Sequence, residues 1–235
     1  MPNIGMKKES YNKLLAVSIF ALAMGFLEAI IVVYLRKIYY PNGFDFPLVS
    51  TIEQWVLNME WAREFFTIVM LLCIGILAGK KFYERFAYFL YAFAVWDIFY
   101  YIWLKVILGW PASLMTWDLL FLIPYPWASP VIAPVVYSID IILLALVLIQ
   151  SQDRNGRVKI KFLEWALFVA GSAFILYTFL YDYGKLILKY EGQGFLDAVA
   201  VYVPMNYNWV LLAIGEILIL ASIYLIWKNE GSKNV

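Results

Sequence analysis

The sequence predicts an all-α, polytopic integral membrane protein: a bundle of six transmembrane helices with a proline-broken outer segment before the fourth. Three observations predict it. First, the 235 residues are 64% hydrophobic and only 15% charged, whereas soluble domains are about 45–50% apolar and about 25% charged. A water-soluble chain cannot hide so much apolar surface. Second, six apolar runs recur, each of roughly 20 residues, which crosses a hydrocarbon core of about 30 Å at the helical rise. Third, Tyr39, Tyr40, Trp61, Trp110, Trp127 and Trp227 gather near the ends of those runs, where amphipathic rings sit at headgroup level. The six spans read as a single transmembrane domain over residues 1–235.

The chain opens with a polar stretch carrying Lys7, Lys8 and Lys13. The first span, about 14–35, is interrupted only by Glu28. It is too long for the apolar core of a signal peptide and has no clear small-residue cleavage site, so it is expected to be retained. Pro41, Asn42, Gly43 and Pro47 mark the loop that follows. The second span is expected at about 62–79, then a short connection with Lys80, Lys81 and Arg85, then the third span at about 86–106. Five of the nine prolines fall between Pro111 and Pro134. Within that region Trp117 to Ile123 is too short to span, and is expected as a half-helix that dips in and returns or as an element on the outer interface. The fourth span is expected at about 129–149, the fifth at about 162–180 after a basic linker, and the sixth at about 209–227.

Twelve of the eighteen lysines and arginines fall in the N-terminal stretch, the 80–85 connection, the 151–161 linker and the tail. The excess of positive charge on cytoplasmic loops then places both termini in the cytoplasm of a plasma (inner) membrane protein.

Composition narrows the chemistry. The chain has no histidine, which weighs against His-ligated haem, zinc sites and His-dependent catalysis. Its single cysteine, Cys73, weighs against Fe–S clusters. A net charge of +1 gives no electrostatic case for nucleic acid. P-loop, GxGxxG, EF-hand and isoprenoid Asp-rich signatures are absent from the sequence. No cofactor or resident metal is assigned. A carboxylate cage for a hard cation stays open, since such ions accept oxygen ligands.

Four carboxylates fall inside spans: Glu28, Asp97, Asp140 and Glu216. Each costs roughly 2.5–3.5 kcal/mol at a helix centre on insertion scales, so each is expected to face the bundle interior, to be paired or to be protonated. Glu28 borders the small-residue series Ala21, Gly25 and Ala29, a pattern that lets helices approach closely. Asp97, Tyr101 and Lys105 follow i, i+4, i+8 along one side of the third span. Asp97 and Lys105 stand about 12 Å apart along the axis, too far to pair directly.

Glu28, Asp97, Tyr101, Lys105, Asp140 and Glu216, together with Asp118, are the candidate lining of an outward-opening polar cavity that binds a small solute or ion. Arg36, Arg63 and Asp182 are secondary candidates in the outer half. The preferred reading is binding or transport of a small solute or cation. A non-catalytic subunit or assembly factor, with a membrane-protein partner or a second copy of itself, comes next. An intramembrane enzyme acting on a lipid or isoprenoid through an Asp or Glu acid–base comes last.

Overall fold

The computed structural model describes residues 6–49, 52–190 and 192–231. Seven helices and one hairpin occupy them: α1 (Lys8–Tyr39), α2 (Gln54–Ala78), α3 (Phe82–Leu108), β1 (Trp117–Phe121), β2 (Trp127–Pro130), α4 (Ile132–Asn155), α5 (Phe162–Lys189), α6 (Gln193–Val199) and α7 (Trp209–Gly231). All but the short α6 are long and apolar enough to cross a membrane. This is an all-α bundle compatible with a multi-pass membrane protein. Leu15, Ile19 and Leu27 on α1, and Phe65, Phe66 and Leu77 on α2, face outward, as a lipid environment favours.

The helices overrun the 20-residue runs read from the sequence. α2 begins at Gln54, two turns before the expected start, so Glu60, Arg63 and Glu64 lie on the helix and not at its edge. α5 continues to Lys189. Gly109 ends α3 in the left-handed region at φ +69°, which a side-chain-bearing residue adopts only at a cost.

α3 is the central element. It packs against α1, α2 and α4, while α4 packs on α7 and α7 on α5. Close approaches are made where small residues meet. Ala21, Gly25 and Ala29 are buried, and a Cβ on Gly25 would meet the Trp96 carbonyl of α3 at 3.0 Å. Gly171 of α5 and Gly215 of α7 face each other, and a Cβ on Gly171 would stand 2.7 Å from the Gly215 oxygen. By contrast, α1 and α2 barely touch.

The two ends of the bundle differ. One end gathers the start of α1, the 79–81 connection, the 155–161 linker and the end of α7. Lys80 pairs with Glu9 at 2.9 Å, Ser10 donates to Asp153 at 2.9 Å, and Asn155 donates to Glu230 at 2.9 Å. The opposite end carries the segments 40–49, 109–131 and 192–208.

At that second end Trp117–Ile123 is not a half-helix. It enters an antiparallel hairpin, with Trp117 opposite Pro130, Asp118 opposite Ser129 and Phe121 opposite Trp127. Two-residue periodicity explains it. Trp117 and Leu119 pack with Phe46, Ala128 and Tyr183 in a small outer core. Leu120 reaches the main core from the other face. Pro124 and Pro126, in the connection, cannot supply the N–H groups that a helix needs. Residues 127–130 belong to β2, so α4 starts at Ile132 and not near 129.

Candidate functional site

A cavity of about 770 Å³ lies in the hairpin half of the bundle. Residues of α1, α2, α3, α4, α5, α6 and the hairpin line it. Most of its lining is apolar or aromatic, with Phe93, Trp96, Tyr100, Phe121, Trp127 and Phe179 among the rings. The rings form a continuous row: Trp96 to Phe121 at 6.3 Å, Phe121 to Trp127 at 5.7 Å and Trp127 to Phe179 at 6.5 Å between centroids.

Of the sequence candidates, Glu28, Arg36, Arg63, Asp97 and Tyr101 line this cavity. Arg63 is held between two acids. Its Nη1 contacts the Glu28 carboxylate, and its Nε and Nη2 donate to Glu60 Oε2 at 2.9 and 2.8 Å. Thr67 also donates to Glu28, at 3.4 Å. Arg36 donates from Nη2 to Asp118 Oδ1 at 2.9 Å, and its guanidinium stacks 3.7 Å from the Trp110 ring and 4.4 Å from Phe44.

Asp118 is wholly buried behind this wall, beside the Tyr101 hydroxyl. Burial pushes its carboxyl up to about 6, against the pull of Arg36, the Leu119 N–H and Tyr101.

Asp97 differs from the other acids. It accepts one hydrogen bond, from Ser138 Oγ at 2.8 Å. Among the described residues no lysine or arginine forms an ion pair with it. It is deep in the bundle yet keeps accessible surface, because that surface faces the cavity.

The four acids of the apolar runs therefore divide two and two. Glu28 and Asp97 face the cavity, whereas Asp140 and Glu216 contact each other between α4 and α7, away from it. α4 is the partition: Ser138 and Asp140 are two residues apart, about 200° around the helix. No N–H or O–H donor reaches Asp140 Oδ2 or either Glu216 oxygen among the described residues.

Lys105 is exposed on α3. Its ammonium donates to the carbonyls of Gly109 and Pro111 at 3.0 and 2.8 Å, closing the end of α3. Asp182 accepts from the Tyr202 hydroxyl at 2.7 Å and pairs with Lys185 at 3.2 Å, fastening α5 to the stretch after α6.

Several cavity residues lie outside the sequence-derived set, Glu60, Glu64, Asp197 and Ser138 among them. Glu60 and Glu64 belong to the buried face of α2 that continues through Thr67 and Leu71, a spacing visible in the sequence once the helix is started early enough. Glu64 accepts the Leu122 N–H with both oxygens, at 3.0 and 2.9 Å, and so ties α2 to the hairpin. Ser138 carried no signal of its own. Among the described residues no group of three or more acidic or cysteine side chains has the spacing of a metal site.

Comparisons with protein-family models, with curated proteins and with solved structures find no match to this chain.

Proposed function

We propose that the protein is a multi-pass plasma (inner) membrane protein that binds a small solute in the hairpin-side cavity and carries it. Both termini lie in the cytoplasm, so the cavity opens towards the outer face. The observation that carries this reading is Asp97: a carboxyl group far inside the bundle, open to a cavity of about 770 Å³, with Ser138 as its hydrogen-bond partner. An ionisable group kept at membrane depth is costly and marks a substrate or ion path by default. The volume falls in the 300–1,000 Å³ range that small-molecule sites occupy, and a mostly apolar lining with a few placed polar groups is their usual make-up. The Arg36–Asp118 pair and the Glu64–Leu122 bond support the same reading, because they hold the hairpin over the cavity as a cover.

Thermal unfolding of the purified protein in detergent tests it, against a panel of organic cations, alkali cations, carboxylates, sugars and neutral amphiphiles. One class is expected to raise the unfolding temperature of the native protein and to lose that effect in Asp97→Asn. A panel without any response from folded protein, or the same response in Asp97→Asn, overturns the reading.

A further inference from the structure

We propose that the solute is a lipophilic monovalent cation: an apolar or aromatic body carrying one delocalised or alkylated positive charge. The inference rests on the cavity being a binding site, and deepens it by naming what the cavity selects.

Charge gives the first argument. Five acidic and two basic side chains line the cavity, and both basic ones are already engaged. Arg36 is paired with Asp118 and lies against the Trp110 and Phe44 rings. Arg63 is shared by Glu28 and Glu60. An anion entering here finds both guanidiniums already charge-paired, with Arg36 Nη1 lacking a hydrogen-bond partner among the described residues, and meets carboxylates. A cation finds Asp97, whose position has a hydroxyl beside it and no base.

The walls give the second argument. A small hydrated ion gives up its water only to a shell of oxygen ligands, and no three-acid cluster of that spacing exists among the described residues. Around Asp97 the lining is instead Trp96, Tyr100, Phe93 and Phe121. Aromatic faces attract a cation through the ring quadrupole, and most strongly when the cation is desolvated. A diffuse, weakly hydrated charge is desolvated at low cost, and its body buries against the same rings. Aromatic faces for an apolar body, with one carboxylate for its charge, suit such a cation.

Tetraphenylphosphonium and tetraphenylborate test this directly. They share size and shape and differ in the sign of the charge. Binding is measured by equilibrium dialysis of each radiolabelled ion against the full chain in nanodiscs, with empty nanodiscs subtracting partition into lipid. A single saturable site is expected for the phosphonium and none for the borate. Asp97→Asn is expected to weaken the phosphonium at least tenfold, as is Tyr100→Leu to a lesser degree. Both variants are checked for a single monodisperse elution peak and a cooperative unfolding transition. The comparison on the native chain does not depend on any variant folding.

Saturable binding of the borate at equal or higher affinity overturns the cation preference and leaves a binding cavity standing. Phosphonium affinity unchanged in a folded Asp97→Asn also overturns it. Saturable binding of neither ion overturns the preference as well. If the wider solute panel is then silent too, the binding reading itself falls.

Discussion

Arg36 and Asp118 are 82 positions apart in the chain, yet each is the other's charge partner, Asp118 wholly buried and Arg36 nearly so. Removing one member of a buried ion pair leaves the other uncompensated, at about 3–5 kcal/mol. Arg36→Ala is therefore expected to lower the free energy of unfolding by about that amount, read from denaturant titration in detergent micelles. Arg36→Lys is expected to recover less than half, because an ammonium cannot stack on Trp110 as a planar guanidinium does. The pair also has a pH signature. An acid raised by folding to about 6 holds its proton more tightly folded than unfolded. Its contribution to stability is thus greatest below the unfolded pKa near 4 and is lost as pH rises through 6, a swing of up to ~3 kcal/mol at 1.36 kcal/mol per unit. Unfolding measured from pH 4.5 to pH 7.5 is expected to lose stability as pH rises, less steeply in Asp118→Asn than in the native chain, because other buried carboxyls contribute too; parallel slopes contradict it. The sequence pointed to both residues, since charge in an apolar context is visible there. It could not pair them, because nothing local encodes a contact across 82 positions. Lys105 illustrates the opposite limit. Its i+8 spacing from Asp97 is a true statement about the helix face, but a long flexible stem lets the ammonium turn back to the carbonyls that end α3.

At the scale of elements, the six apolar helices were legible because hydropathy over 20 residues is a strong signal. The hairpin was not, because its strands are five and four residues long. Its alternation of Trp117 and Leu119 against Leu120 becomes meaningful only when the two cores it separates are in place. Helix starts were the other weak point. Charged Glu60, Arg63 and Glu64 look like a loop boundary by hydropathy, but their side chains lie against one another and the hairpin within α2. Glu64 is the bond between α2 and the hairpin. Glu64→Ala leaves the Leu122 N–H without its acceptor, at about 1–3 kcal/mol. Amide exchange from Trp117 to Pro130 is expected to accelerate in that variant while exchange in α4 and α7 stays unchanged. A uniform acceleration along the chain would mean that Glu64 supports the whole fold and not the cover alone. Packing between α5 and α7 makes a separate claim. Because a Cβ on Gly171 would stand 2.7 Å from the Gly215 carbonyl, Gly171→Val is expected to force the helices apart and cost about 1–3 kcal/mol by overpacking. An unchanged unfolding temperature in that variant would show that the two helices do not meet so closely.

Across the whole molecule, the distribution of charge and that of empty space are opposed. The end that gathers both terminal helix ends holds most of the lysines and arginines in connections and short tails, tied by pairs such as Lys80 with Glu9 and Lys13 with Glu84. The other end holds the cavity, its carboxylates and the hairpin. Lysine and arginine counted over short loops set orientation, because they are retained on the cytoplasmic side during insertion. This asymmetry was open to the sequence, since it depends on loop composition alone. The division of the acids into a cavity pair and an α4–α7 pair was not, since it depends on which helices are neighbours and on the direction Ser138 and Asp140 take around α4. In a Cys73→Ser background, Asn42→Cys places a thiol in the exposed loop after α1, and Arg157→Cys places one in the exposed linker after α4. A membrane-impermeant maleimide applied to intact cells is expected to modify the first and spare the second, and permeabilised cells are expected to yield both. Labelling of the linker thiol alone would turn the molecule over, and the cavity would then open to the cytoplasm. The carboxylates would still be where they are, but Asp97 would draw its solute from inside the cell.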